Sequence, residues 1–224
     1  MNKTDALEAM ELAALAYKRL QPEPVTGTLT VIDDPVSGVQ CYVRQSGVLL
    51  TIAFRGTHSA KDWQTDFSFA KKTLPYGNHH SKIRVHTGFL GAYKNPLIRG
   101  RLHTLVTDEI KKIVVCGHSY GAALAALCAV DLEYNFPDRG MECYLFGCPR
   151  VGNRAFAESF DRRIFKTLRF VNGNDMITKL PFAFMGYRHV GIPIRLGTLP
   201  LPGRFSAKEH SAKEYYRHLF EGTC

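Results

Sequence analysis

Ser119 stands in Gly117-His118-Ser119-Tyr120-Gly121, a serine with a glycine two residues to either side. The preceding run, Ile113-Val114-Val115-Cys116, is apolar and β-type, and the following run, Ala122 to Val130, reads as buried helix. A strand, a sharp turn and a helix around Gly-x-Ser-x-Gly is the setting of a serine nucleophile. Such a turn strains the serine backbone and lifts its hydroxyl above the sheet. Side chains at 117 and 121 would collide with neighbouring backbone, hence the glycines. The helix N-terminus favours the negative charge of a tetrahedral intermediate. The chemistry implied is acyl transfer.

A serine hydroxyl needs a histidine base, and the base needs a carboxylate to hold its tautomer. With a serine on a strand-turn-helix, the carboxylate and then the histidine follow in the chain. Asp131 and Glu133 fall in the serine's own helix, Asp138 in a turn, and Asp161 at a helix end beside Arg162 and Arg163. Asp175 follows a predicted strand, 164–171, by the turn Asn172-Gly173-Asn174. It therefore lies past the carboxyl end of a strand, where α/β sites form; an Asx-type turn role is its alternative. Of nine histidines, only His189, His210 and His218 come later. His210 sits where a long loop meets the last helix and has the reach of a base. His189 enters a strand and His218 lies inside a helix, so both remain alternatives with less reach.

The elements that must position these residues alternate along the chain. A docking helix is predicted over 5–20, with Leu7, Met10, Ala14 and Tyr17 on one face. Strands at 39–44 and 48–54 surround a Ser46-Gly47 turn. A loop becoming a short helix covers 55–69, a loop 73–84, and a helical stretch broken at Asn95-Pro96 covers 86–110. After the 113–117 strand and the 119–134 helix come a strand at 141–146, a helix at 154–161, strands at 164–171 and 190–195, a loop from 197 and a helix at 211–220. This order predicts one domain over 1–224: an α/β sheet with helices on both faces.

The 224 residues have 45% hydrophobic and 22% charged side chains, an ordinary globular balance with room for one core. The net charge of +9 comes from scattered lysines and arginines without the aromatic-basic signature of a nucleic-acid module. That balance admits reversible contact with an anionic lipid surface. Gly147 to Gly152 has phosphate-loop spacing, but Asn153-Arg154 follows where Lys-Ser/Thr is required. Neither metal nor cofactor is expected. Acidic residues Asp5, Glu8 and Glu11 interrupt the N-terminal stretch, and Cys116, Cys128, Cys143 and Cys148 read as small buried hydrophobes. Both points lead to a cytoplasmic expectation.

Taken together, these residues resemble the class 3 lipases, typified by fungal triacylglycerol lipases. The resemblance runs through Thr51-Ile52-Ala53-Phe54-Arg55-Gly56-Thr57, Asp62-Trp63 with Asp66-Phe67, and Val85-His86-Thr87-Gly88-Phe89. It continues through Cys148-Pro149-Arg150-Val151-Gly152-Asn153, Val171 to Asp175, Leu180-Pro181, Gly186 to His189, and His210-Ser211 with Tyr215 and Leu219. It implies an α/β-hydrolase fold with a mixed, mostly parallel sheet. It also implies an ester hydrolase acting on acyl lipids through Ser119, His210 and Asp175. The resemblance further assigns an oxyanion hole to Thr57 and the backbone N–H of Tyr120. It makes the helix from Ser59, with Trp63 and Phe67 on one face, a lid; that spacing fits core packing equally. A phospholipase A1 or a feruloyl-type esterase is the neighbouring activity. A catalytically silent lipid-surface binder is the alternative outside enzymes. Acyl length, head group and oligomeric state are left open.

Overall fold

A computed structural model describes residues 3–17, 27–56, 70–73 and 81–222. The chain opens with helix α1 (Lys3–Leu15) and three antiparallel strands, β1 (Thr28–Asp34), β2 (Val39–Ser46) and β3 (Leu49–Phe54). Short strands β4 (Lys71–Thr73) and β5 (Arg84–His86) precede helices α2 (Thr87–Tyr93) and α3 (Pro96–Leu105). Then come β6 (Lys112–His118), α4 (Tyr120–Asn135), β7 (Gly140–Phe146), β8 (Gly152–Asn153), α5 (Arg154–Arg163) and β9 (Thr167–Asn172). The end of the chain holds β10 (Tyr187–Arg188), β11 (Ile192–Leu196), a 3₁₀ turn at Lys208–His210 and α6 (Ala212–Glu221).

Seven strands form the main sheet in the order β1-β2-β3-β6-β7-β9-β11. The pairs from β3 to β11 are parallel, so β3, β6, β7, β9 and β11 all end at one edge. Crossover helices cover both faces, and these strands are apolar nearly throughout rather than alternating. On β6, Ile113 and Val115 face a core shared with α4. Val114 and Cys116, one residue out of phase, face a second core shared with α1 and α6. Residues Gly121 to Leu132 of α4 are all buried, so this helix packs against the central strands β3, β6 and β7 as part of the core. A smaller antiparallel sheet, β10-β8-β5-β4, flanks the first.

Several expectations need amending. Helix α1 buries Met10, as expected, together with Ala6, Ala9 and Ala13, while Leu7 and Ala14 of the expected face are only partly covered. Its alanines allow close approach to the sheet, and packing distance outweighs side-chain size. β1 was not expected; it is an edge strand with only Ile32 and Asp34 buried, so its alternation is weak. β4 and β5 are three residues each, too short for a periodic signal. β9 begins at Thr167, three residues after its predicted start. The residues predicted as a short helix up to 69 lie outside the described residues.

Candidate active site

Ser119 links the end of β6 to the start of α4 with φ 60° and ψ −128°. It is the one non-glycine residue with positive φ among the described residues. Such a conformation costs about 1–3 kcal/mol and persists only where its surroundings enforce it. The surroundings here are the two glycines. A Cβ on Gly117 would lie 2.5 Å from the Gly121 carbonyl, and one on Gly121 would strike the Phe54 carbonyl oxygen with Arg55 C at 2.8 Å. The Ser119 amide donates to the Phe146 carbonyl at 2.9 Å, which anchors the turn to β7.

His210 reaches Ser119 from across the chain, its Nε2 2.7 Å from the serine Oγ. Its Nδ1 lies 2.9 Å from Asp175 Oδ2, so a proton on Nδ1 is donated to the carboxylate and Nε2 faces the serine as an acceptor. His210 closes the 3₁₀ turn at Lys208–His210, a departure from the plain loop predicted there. Ser211 caps α6 by accepting from the Glu214 amide at 3.3 Å, which fixes the chain immediately after the histidine.

Asp175 is fully buried. Its two oxygens are divided between tasks. Oδ1 accepts from the Ile177 amide at 2.8 Å, the Asx-turn bond anticipated as an alternative. Oδ2 accepts from His210 and also from the Tyr215 hydroxyl at 2.6 Å. The turn and structural readings of Asp175 therefore coexist with its pairing to His210.

Backbone stitching holds the pair together. A β-bridge joins Asp175 to Ser206, the Ser206 amide donates to Asn174 O at 2.9 Å, and the Glu209 carboxylate accepts from the Asn174 amide. Asn172 Nδ2 donates to the Glu209 carbonyl at 2.9 Å. Gly147 leaves room beside the pair: a Cβ there would lie 3.1 Å from both Asp175 Oδ2 and His210 Nδ1.

The other late histidines serve this frame. His189 Nε2 donates to the Thr178 carbonyl at 2.8 Å, and burial among Arg169 and Arg150 holds it well below the usual imidazole range. His218 Nδ1 lies 2.8 Å from Asn172 Oδ1. Asp131 is taken up elsewhere: it receives Arg99 at 2.9 Å, Tyr93 at 2.8 Å and His103 at 2.7 Å.

Sequence reasoning did not find His118, Tyr17 or the contact of Tyr215. His118 Nε2 donates to the His210 carbonyl at 2.7 Å, and its Nδ1 accepts from the Tyr17 hydroxyl at 2.9 Å. Burial, then the neighbouring His210, holds His118 well below its ordinary pKa, consistent with a neutral ring. These contacts bridge 92, 101 and 40 residues and leave no trace in local spacing.

Tyr120 is the first residue of α4, where a helix leaves its N–H groups without intrahelical partners. Burial pushes its phenol up to about 12. Thr57, Ser59, Asp62, Trp63 and Phe67 lie outside the described residues. Among the described residues, no His/Cys/Asp/Glu group is arranged to hold a metal, and no helix is long and apolar enough to cross a membrane.

A family model for lipase (class 3) matches residues 51–185. The chain is 36% identical over 148 residues to a lipase of Rhizomucor miehei, covering 62% of this chain and 39% of that protein. It is 31% identical over 179 residues to secreted mono- and diacylglycerol lipase 1 of Fusarium solani, covering 77% and 52%. It is 32% identical over 204 residues to phospholipase A1-II 4 of Oryza sativa subsp. japonica, covering 78% and 50%. The chain thus spans about half the length, or less, of these curated relatives. The solved structure of the Rhizomucor miehei triacylglyceride lipase superposes with a TM-score of 0.76 at 26% identity, over 86% of this chain and 79% of that one. The architecture is accordingly the α/β-hydrolase fold. The cytoplasmic expectation is corrected: relatives from Fusarium solani, Malassezia globosa and Penicillium cyclopium are named as secreted. That expectation rested in part on cysteine burial, which reflects packing and carries no record of compartment. With more than half its length matched by the family model, the chain belongs to the class 3 lipase family.

Proposed function

We propose that this chain hydrolyses carboxylic esters of acyl lipids as one α/β-hydrolase domain over residues 1–224. Ser119 is the nucleophile, His210 the base and Asp175 its orienting carboxylate. The observation that carries the reading is the unbroken line from Ser119 Oγ through His210 to Asp175, with contacts of 2.7 and 2.9 Å. Ser119 Oγ attacks the ester carbonyl carbon while its proton passes to His210 Nε2. The imidazolium is stabilised by Asp175, whose second donor, Tyr215, fixes the carboxylate without neutralising it.

The oxygen of the tetrahedral intermediate takes hydrogen bonds from the Tyr120 N–H and, by family pattern, from Thr57. His210 then gives its proton to the leaving alcohol, and the acyl group remains on Ser119. Water attacks this acyl-enzyme, His210 takes the water proton, and the carboxylic acid leaves with Ser119 restored. No cofactor enters any step.

A phospholipase A1 activity is the second reading, favoured by the rice relative of that name. Both use the same bond-breaking groups and differ only in the lipid held. The discriminating experiment combines fluorophosphonate labelling with turnover of a short-chain nitrophenyl ester, a triacylglycerol and a diacyl phospholipid. Labelling at Ser119 alone with ester turnover supports the reading. A folded protein that takes no label and turns over no ester is the lipid-surface binder instead.

A further inference from the structure

Asn172 ends β9 with no exposed surface, and each of its polar groups has a partner. Its amide N–H donates to the Tyr215 hydroxyl at 3.1 Å, and that hydroxyl donates to Asp175 Oδ2 at 2.6 Å. Its carbonyl accepts from the Asp175 amide at 2.9 Å. Its side-chain Nδ2 donates to the Glu209 carbonyl at 2.9 Å, and its Oδ1 lies 2.8 Å from His218 Nδ1. One residue thus touches both the turn that carries Asp175 and the turn that carries His210.

The Glu209 carbonyl can only accept, so Asn172 must turn Nδ2 toward it and Oδ1 toward His218. Oδ1 can only accept, so His218 must carry its proton on Nδ1. Its Nε2 is then a lone pair, and Arg217 Nη2, which can only donate, faces it at 2.8 Å. Arg217 is held in turn by Glu214 and Glu221 on the same helix, α6. A carbonyl at one end and a guanidinium at the other leave the line one proton arrangement; a second proton on His218 would set N–H against N–H. The chain closes tightly over it. At Gly197, with φ 68°, a Cβ would fall 2.6 Å from Asn172 Oδ1 and 2.8 Å from His218 Cε1.

The peptide group is planar, so whatever holds the Glu209 carbonyl also orients the His210 amide. On the other side, His118 holds the His210 carbonyl. The two peptide planes flanking His210 are therefore pinned by side chains from the ends of two strands, β6 and β9. We infer that His218 and Asn172 are positioning residues for the proposed base. His218 fixes which way the Asn172 amide points, and Asn172 fixes the angle at which His210 meets Ser119. The inference deepens the hydrolase reading and rests on it.

The test uses the full chain. Nitrogen NMR of the wild type at pH 8 should find His218 as the Nδ1–H tautomer, whereas a histidine facing only water favours Nε2–H. An Nε2–H His218 overturns the inference. His218→Leu removes the donor and should lower kcat on a soluble ester about tenfold with KM nearly unchanged, measured well below its melting temperature. His218→Asn puts a carboxamide Nδ2 where the ring Nδ1 stood and should stay within about threefold of wild type. A merely structural His218 would lower the melting temperature in both variants and leave kcat alone. That result overturns the inference, as does an equal loss of kcat in the two substitutions. Wild type that shows the Nδ1–H tautomer but turns over no ester refutes the hydrolase reading, and the positioning role falls with it. Failure of the variants beside an active wild type strikes the inference alone.

Discussion

His118 Nε2 donates to the backbone carbonyl of His210 at 2.7 Å, so the residue preceding Ser119 holds the main chain of the proposed base. The two imidazole rings lie 4.8 Å apart at 30°, and Tyr17 on the far side of His118 completes a line from the N-terminal helix. A misplacement of about 1 Å at a reacting group can cost on the order of 100-fold. We predict that His118→Phe lowers kcat for a soluble ester by about 10- to 100-fold. KM should stay nearly unchanged, because the line positions the base and does not touch substrate. Tyr17→Phe should act in the same direction more weakly. Steady-state kinetics on both variants checks this, and a change confined to KM contradicts it.

The Tyr215 hydroxyl faces two partners, donating to Asp175 and accepting the Asn172 amide at 3.1 Å. Burial, then the Asp175 charge, pushes its phenol well above the ordinary value, so it stays a donor. Tyr215→Phe strands a buried N–H and removes one donor from the carboxylate, a cost of about 1–3 kcal/mol. In a domain of this size the melting temperature should fall by roughly 2–10 °C. The kcat should drop by about tenfold as Asp175 orients His210 less firmly. Calorimetry with kinetics reads both. An unaltered melting temperature would show that the Asn172 amide finds another acceptor.

Glycines at the serine turn should differ sharply from glycines in open space. Gly117→Ala and Gly121→Ala force a Cβ into backbone atoms and should each cost about 3 kcal/mol or more, or block folding. Gly100, exposed within α3 with nothing within 4 Å of its Cβ position, should behave oppositely. Gly100→Ala should stabilise by about 0.5–1 kcal/mol. Urea midpoints of the three variants make the comparison.

Three histidines held neutral by desolvation set an acid limit on stability. His86 caps α2 through Nδ1, which accepts from the Gly88 amide at 3.1 Å, and burial lowers its pKa to about 4. His118 and His189 are also held well below their ordinary value, first by burial. An unfolded histidine titrates near about 6.5, so below that pH the unfolded chain binds more protons than the folded one. Stability therefore rises with pH up to about 6.5 and falls as pH drops toward about 4, by at most about 1.4 kcal/mol per unit for each histidine. Urea denaturation between pH 8 and pH 5 should show a midpoint falling through the lower half of the range. A flat midpoint would contradict the neutral state of these rings.

Much of this architecture was legible from residues alone, for identifiable reasons. Ser119 announced itself because the steric demand of its turn is local: two glycines, a β run and a helix within one short stretch. Asp175 and His210 were reachable because chain order and the edge of a parallel sheet restrict where partners can stand. His118 looked like filler in the motif, because its partners lie 92 and 101 residues away. Tyr215 was noted only for its place in a family pattern, since a buried hydroxyl leaves no periodic signature. The β1 strand escaped notice because an edge strand half in water lacks a clear apolar alternation.

The central claim is that Ser119 and His210 act as one unit across their 2.7 Å contact. The most direct measurement is a double-mutant cycle on turnover of a soluble ester: Ser119→Ala, His210→Ala and both together, each checked for native melting. Each single change should lower kcat by roughly 10⁴–10⁶, and the combination should lose almost nothing further. If His210→Ala retains turnover while Ser119→Ala abolishes it, or if the two losses multiply, the base assigned here is wrong.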